Sequence, residues 1–236
     1  MNLILLFDDD FIAPSRVVLR GRRASHVREI HRAAAGDELV VGRLSGKIGS
    51  GRILRIGEEV EMEVILDRDP PPALEMTLVI ALPRPKVLNR VIAAVASLGV
   101  KRLFLINAWR VEKSYWRSPR LSEENLRAQA IIGLEQARDT VLPRIETKRL
   151  FRPFVEEELP SVIADTIALA AHPYASDECP RNLSRPITLA IGPEGGFIDK
   201  EIDSLTRIGF RAVTMGPRIL RVETAVAALT GRLSPR

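Results

Sequence analysis

Cysteine is nearly absent from this chain. Cys179 stands alone among 236 residues, which excludes a disulfide framework and a cysteine-built zinc site. Histidine is scarce as well, and His26, His31 and His172 do not fall at a metal-ligating spacing, so no metal is expected. No run approaches the roughly 18 apolar residues that read as a membrane span. Residues 1–7 are apolar, but no basic region precedes them and Asp8-Asp9-Asp10 follow at once; they read as a first strand and not a signal peptide, in a cytoplasmic protein. Neither Gly-x-Gly-x-x-Gly nor a Gly-Lys-Ser/Thr loop occurs, which argues against the commonest nucleotide-phosphate cradles. Internal repeats and long low-complexity segments are missing too.

What is present is a core-forming chain with 46% apolar residues and a net charge of +5, which suits an acidic partner. The charge is unevenly spread. Residues 1–72 hold 11 Lys/Arg against 12 Asp/Glu, and the remainder holds 24 against 18. Within the first part Arg16, Arg20, Arg22, Arg23, Arg28 and Arg32 crowd together with only Glu29 among them. Guanidinium forks suit phosphate, so this cluster reads either as an RNA contact or as a solvated helix face.

The chain divides near Asp67. Val60, Met62, Val64 and Leu66 alternate with Glu59, Glu61 and Glu63, the pattern of a half-buried antiparallel strand. Turn signals at Gly36-Asp37, Ser45-Gly46, Gly49-Ser50-Gly51 and Gly57-Glu58 suggest a small β-barrel over residues 1–68. One helix is expected there, Ala24 to Ala35, capped by Ser25 and stopped by Gly36. Asp69-Pro70-Pro71-Pro72 reads as a stiff linker covering 69–73.

From residue 74 to 236 strands alternate with helices. Strands are expected over Met76–Leu82, Val100–Ile106, Thr166–Ala171, Ile187–Ile191 and Ala212–Met215. Helices are expected over Lys86–Leu98, stopped by Gly99, after Ser122 with a stripe of Leu126, Ala130, Leu134 and Ala137, after Asp199, and over Glu223–Leu229. This is an open α/β sheet of at least five strands. The last two strands each run into a glycine-proline turn and are expected to lie side by side, where parallel strand ends bind ligands.

Those two turns carry the most specific signal. Ile191-Gly192-Pro193-Glu194-Gly195-Gly196, followed by Met215-Gly216-Pro217-Arg218-Ile219-Leu220-Arg221-Val222-Glu223-Thr224-Ala225, resembles the signature of the SPOUT RNA methyltransferases. More narrowly it is similar to the bacterial 16S ribosomal RNA uracil-N3 methyltransferases. Leu98-Gly99-Val100, Glu135-Gln136, Pro143 and Leu169–Pro173 also match. The chain departs from the family at Ala94, Ser97 and Ala137-Arg138-Asp139, where a lysine, an acid and a glycine-arginine pair are commoner.

The resemblance implies a deep C-terminal trefoil knot, a PUA-like RNA-binding first domain and a homodimer. It implies S-adenosylmethionine as methyl donor and 16S RNA, within the small ribosomal subunit, as substrate. Leu169, His172, Ile191, Gly192, Pro193, Glu194, Gly195, Gly196, Met215, Gly216, Ile219 and Leu220 would hold the cofactor.

Uracil N3 becomes nucleophilic as its proton leaves, and the charge spreads to the flanking oxygens. Arg221, then Arg218, are the candidate cations to stabilise it. Glu223 or Glu194 are candidate proton acceptors. Arg16, Arg20, Arg22, Arg23, Arg28, Arg110 and Arg138 are the candidate RNA contacts, with Lys113, Tyr115 and Trp116 near Arg110. The other readings are a sister SPOUT enzyme acting on a ribose 2′-hydroxyl or another base, a non-catalytic RNA-binding protein, and a nucleotide-phosphate site at the first turn.

Overall fold

The computed structural model describes residues 2–235 and divides into two compact units. The first holds the residues up to Pro72 together with Ile131–Leu142; the second holds Ala73–Ala130 and the residues from Pro143 onward.

In the first unit the strands are β1 (Ile4–Leu6), β2 (Phe11–Ala13), β3 (Arg16–Leu19), β4 (Glu38–Arg43), β5 (Ile48–Ile56) and β6 (Val60–Arg68). They form one sheet in the order β1-β4-β5-β6-β3-β2, parallel only at β1–β4. The sheet wraps a single apolar core to which Ile4, Val17, Val41, Ile53 and Met62 contribute. On β6, Val60, Met62 and Val64 are buried and Glu63 is exposed, as the alternation requires.

Gly49 and Gly51, expected in a turn, lie inside β5. A Cβ at Gly49 would sit 1.7 Å from the Ile65 carbonyl oxygen, so the glycine permits close strand approach.

The helix of this unit also differs from expectation. Helix α1 (Gly21–His26) begins before Ser25, which lies within it, and continues as a wide turn, Val27–His31, ended by Arg32 at a φ of 51°. It cannot run to Ala35. The Asp37 carboxylate accepts from the Ala34 N–H at 2.8 Å, and the Gly36 N–H donates to Ile53 O at 2.8 Å, which draws this segment onto the sheet.

Residues 131–142 count with this unit because the Glu135 carbonyl accepts from the N–H groups of Asn2 and Leu3, and Thr140 Oγ1 donates to Gly46 O at 2.6 Å.

The second unit is built on six parallel strands, where at least five were expected. They are β7 (Leu74–Ala81), β8 (Val100–Ile106), β9 (Arg144–Lys148), β10 (Ile167–Ala171), β11 (Ile187–Ile191) and β12 (Arg211–Val213). Their order is β12-β10-β11-β7-β8-β9. Strands β11 and β12 are therefore not neighbours. The alanine-rich β10 lies between them and pairs with both, Leu169 standing opposite Leu189 on one side and Arg211 on the other.

The connecting helices are α2 (Pro85–Ser97), α3 (Glu123–Ala137, whose last residues belong to the first unit), α4 (Phe151–Pro153), α5 (Leu159–Ile163), α6 (Asp199–Arg207) and α7 (Val222–Leu233). A wide turn, Phe154–Glu158, joins α4 to α5, a stretch interrupted by Pro153 and Pro160. Gly99 stops α2 at a φ of 78°, a conformation that costs glycine little. Ser122 Oγ accepts from the Asn125 N–H at 3.3 Å, capping α3. At α6, Ile198 takes the cap position and Asp199 the first turn; Glu201 satisfies the Ile198 N–H at 3.0 Å.

Helix α7 packs against α2 and β11. The segment between β10 and β11 straps the C-terminal stretch: Cys179 N–H donates to Thr214 O at 2.8 Å, and Leu183 N–H to Leu233 O at 2.8 Å. Among the described residues no helix is long and apolar enough to cross a membrane.

Candidate active site

At the carboxyl ends of β10, β11 and β12 the second unit opens a cleft. Three segments wall it, one from each strand end, because parallel strands deliver their outgoing turns to the same edge.

From β11 come Ile191, Gly192, Pro193, Glu194 and Gly196. The turn is tight for its own sake. A Cβ on Gly192 would lie 2.6 Å from the Phe197 amide nitrogen, and Gly196 adopts a φ of 73°. Gly195 stands outside the wall; its carbonyl accepts a hydrogen bond from Arg110 Nη1, so Arg110 braces the turn. Glu194 Oε1 accepts from the Arg84 main-chain N–H at 2.9 Å.

From β12 come Met215, Gly216, Arg218, Ile219 and Leu220. The main-chain N–H groups of Arg218, Ile219 and Leu220 have no hydrogen-bond partner among the described residues. Ile219 is 67% exposed, an apolar wall with nothing of its own chain over it.

From β10 comes His172, whose N–H donates to Val213 O at 3.0 Å while its ring lies 5.9 Å from that of Tyr174. Leu169 does not reach the cleft: it is fully buried two residues inside β10. Pattern reading missed the floor, which is Val213, Val222, Ala225 and Leu229. The last three share one face of α7, a spacing of three to four residues that could have marked them.

Arg221 is exposed at the start of α7, and neither it nor Arg218 makes an ion pair among the described residues. The Glu223 carboxylate is engaged by Arg90 Nη2 on α2 at 3.1 Å. Both glutamates proposed as proton acceptors therefore carry structural bonds.

In the first unit the arginine cluster is extensively paired. Arg16 lies 3.6 Å from Glu61, Arg20 2.7 Å from Glu59 and Arg22 2.9 Å from Glu135. Arg28 donates to the carbonyls of Gly57 and Glu58. Arg23 is largely buried; it grips both oxygens of Asp10 and the Leu5 carbonyl and lies over the Phe7 ring. Arg138 is exposed and takes a φ of 56° just after α3. Burial pushes the Glu135 carboxyl above its ordinary value, with Arg22 opposing the shift.

A family model described as an RNA methyltransferase domain matches residues 70–234. Over 236 residues the chain is 30% identical to the ribosomal RNA small subunit methyltransferase E of Treponema pallidum, covering 97% of this chain and 88% of that protein. Its fold is similar to that of a Neisseria gonorrhoeae protein of the same name solved bound to S-adenosyl methionine, with a TM-score of 0.73, 21% identity and 98% and 95% coverage of the two chains. A Legionella pneumophila protein solved with the cofactor SAM gives a TM-score of 0.71 at 23% identity, covering 98% and 96%. The chain belongs to the SPOUT-class RNA methyltransferases, in the family of ribosomal RNA small subunit methyltransferases E.

Proposed function

We propose that this protein transfers a methyl group from S-adenosylmethionine to N3 of a uridine in the 16S RNA of the small ribosomal subunit. The observation that carries the reading is the cleft itself: three strand-end turns, two of them opening on glycine-proline, meeting beside the N–H groups of Arg218 to Leu220, which have no partner among the described residues. Exposed donors next to apolar Ile219 and Leu220 fit a ligand with one flat, hydrogen-bonding ring and one polar tail. When bound, the cofactor supplies an electrophilic methyl group on a sulfonium.

The chain's own contribution is placement and charge. Gly192, Pro193, Glu194 and Gly196, facing Met215, Gly216, Ile219 and Leu220, hold the cofactor, with His172 shaping the third side. Arg221, next in sequence to Leu220 and without an ion pair among the described residues, stabilises the negative charge that develops on the uracil oxygens as N3 loses its proton. Arg218 on the cleft wall assists it. Glu223, held by Arg90, fixes the first turn of α7 and so positions Arg221. With both glutamates braced, the N3 proton is released to solvent.

The same reading takes the first unit as a PUA-like RNA-binding domain, supported by a six-stranded sheet wrapped round one core. Its exposed Arg16, Arg20 and Arg22 would contact RNA by exchanging carboxylate partners for phosphate, joined by half-buried Arg28 and exposed Arg138. A trefoil knot is supported by the strap that bonds to Thr214 and Leu233 on the last stretch of chain. A homodimer would cover exposed Ile219 and Tyr174 beside the cleft. A ribosomal substrate places the protein in the cytoplasm. Calorimetry with S-adenosylmethionine tests the enzyme reading: micromolar binding supports it, and its absence leaves an RNA-binding protein without catalysis.

A further inference from the structure

The carboxyl edge of the parallel sheet carries a second depression, a groove of about 810 Å³ beyond the cofactor cleft. It is built from the segments that leave β8 and β9 and from the start of α6. The turn after β11 links the two features, since Arg110, which braces Gly195, directly precedes the groove residue Val111.

The groove combines cations with ring faces. Lys113, Arg117, Arg149, Arg152 and Lys200 line it, and of these only Arg152 has a carboxylate partner among the described residues, Glu156 at 3.2 Å. The single acid on the wall is Glu201, and it is spent internally. Its two oxygens accept from the main-chain N–H groups of Trp109 at 2.7 Å and Ile198 at 3.0 Å. Trp109 is 80% exposed, a large ring that folding leaves unused. Trp116 is held in place by its Nε1–H donating to Asn107 Oδ1 at 2.9 Å, and the Arg149 guanidinium lies 5.6 Å from its ring centre. Phe151 adds a third ring.

We infer that this groove holds a single-stranded segment of the RNA substrate beside the target uridine, with bases stacked on Trp109 and Trp116 and phosphates on the surrounding cations. The inference rests on the RNA methyltransferase reading. Cations without free acids call for a polyanion, and exposed indole faces call for unstacked bases, a combination that single strands offer and duplexes do not. Uracil N3 lies on the pairing edge, so the target must be unpaired at the moment of reaction, and its neighbours are the strand that the groove would receive.

Both tryptophans of the chain lie in this groove, so intrinsic fluorescence reads it directly. The probe is a uridine-rich RNA of about 12 nucleotides, within the usual site size of such grooves, titrated at low salt. Quenching is expected. Trp109→Ala, an exposed change that spares the fold, should weaken binding about tenfold or more. Arg117→Gln and Lys200→Gln should each flatten the slope of log K against log salt by about 0.7. Cofactor affinity should not move in any of the three.

RNA binding of wild-type strength in these variants, or binding without quenching, overturns the inference, as does no RNA binding at all. Loss of self-association in Trp109→Ala, seen by sedimentation, assigns the groove to a second copy and overturns it as well. Failure of the enzyme reading is separate, since it would show as absent cofactor binding with RNA quenching intact.

Discussion

Glu194 Oε1 accepts the main-chain N–H of Arg84 at 2.9 Å, which ties the turn after β11 to the residue that caps α2. The carboxylate, itself on the cleft wall, thus braces the turn proposed to hold the cofactor. Glu194→Ala is expected to weaken S-adenosylmethionine binding about tenfold, the scale of one hydrogen bond to a charged group. The single-turnover rate at saturating cofactor should stay within about threefold of wild type. A saturated rate that falls by a hundredfold would instead make Glu194 the proton acceptor.

Arg221 has no ion pair among the described residues, so its removal should cost little stability. Arg221→Ala is expected to keep cofactor affinity and slow methyl transfer by roughly a hundredfold or more, as for a lost preorganised donor. Arg218→Ala should cost less. Single-turnover kinetics decide between them, and a near-normal rate in Arg221→Ala removes it as the charge stabiliser.

Gly192 has backbone, not a flexible side chain, where a Cβ would go. Gly192→Ala must therefore shift the turn, with an expected loss of about 1–3 kcal/mol in urea unfolding and of measurable cofactor binding. Unchanged affinity would show that the turn does not form the cofactor wall.

Glu135 provides a pH test within the first unit. Burial raises its folded-state pKa above the unfolded value, so the folded chain holds the proton more tightly. Stability conferred by this group therefore grows as pH falls from neutral through the raised folded pKa towards the unfolded value near 4.5, and is lost as pH rises through the same window. Glu135→Gln, which leaves Arg22 an acceptor, should flatten that slope in urea melts across mildly acidic pH. An unchanged slope would place the dependence elsewhere.

Much of the fold is legible in the residues. The alternation of β6, the glycine stop at Gly99 and the glycine-proline turns after β11 and β12 all follow from local pattern. What failed was whatever depended on distant partners. Strand β9, Arg-Ile-Glu-Thr-Lys, is a polar edge strand with almost no apolar signature. Strand β10 slips between the two signature turns because sheet order is invisible to periodicity. Counting charges locally left the arginines of residues 16–28 facing Glu29 alone, whereas their partners come from Asp10, Glu59, Glu61 and Glu135. The groove cations Arg149, Arg152 and Lys200 escaped for the same reason, since the stretch after β9 and the start of α6, far apart in sequence, bring them together.

The most direct measurement is nucleoside mass spectrometry of 16S RNA from a strain lacking this gene, with and without the gene restored. Loss of N3-methyluridine and its return on restoration are the predicted results. An unchanged N3-methyluridine content in the deletion strain would contradict the assignment.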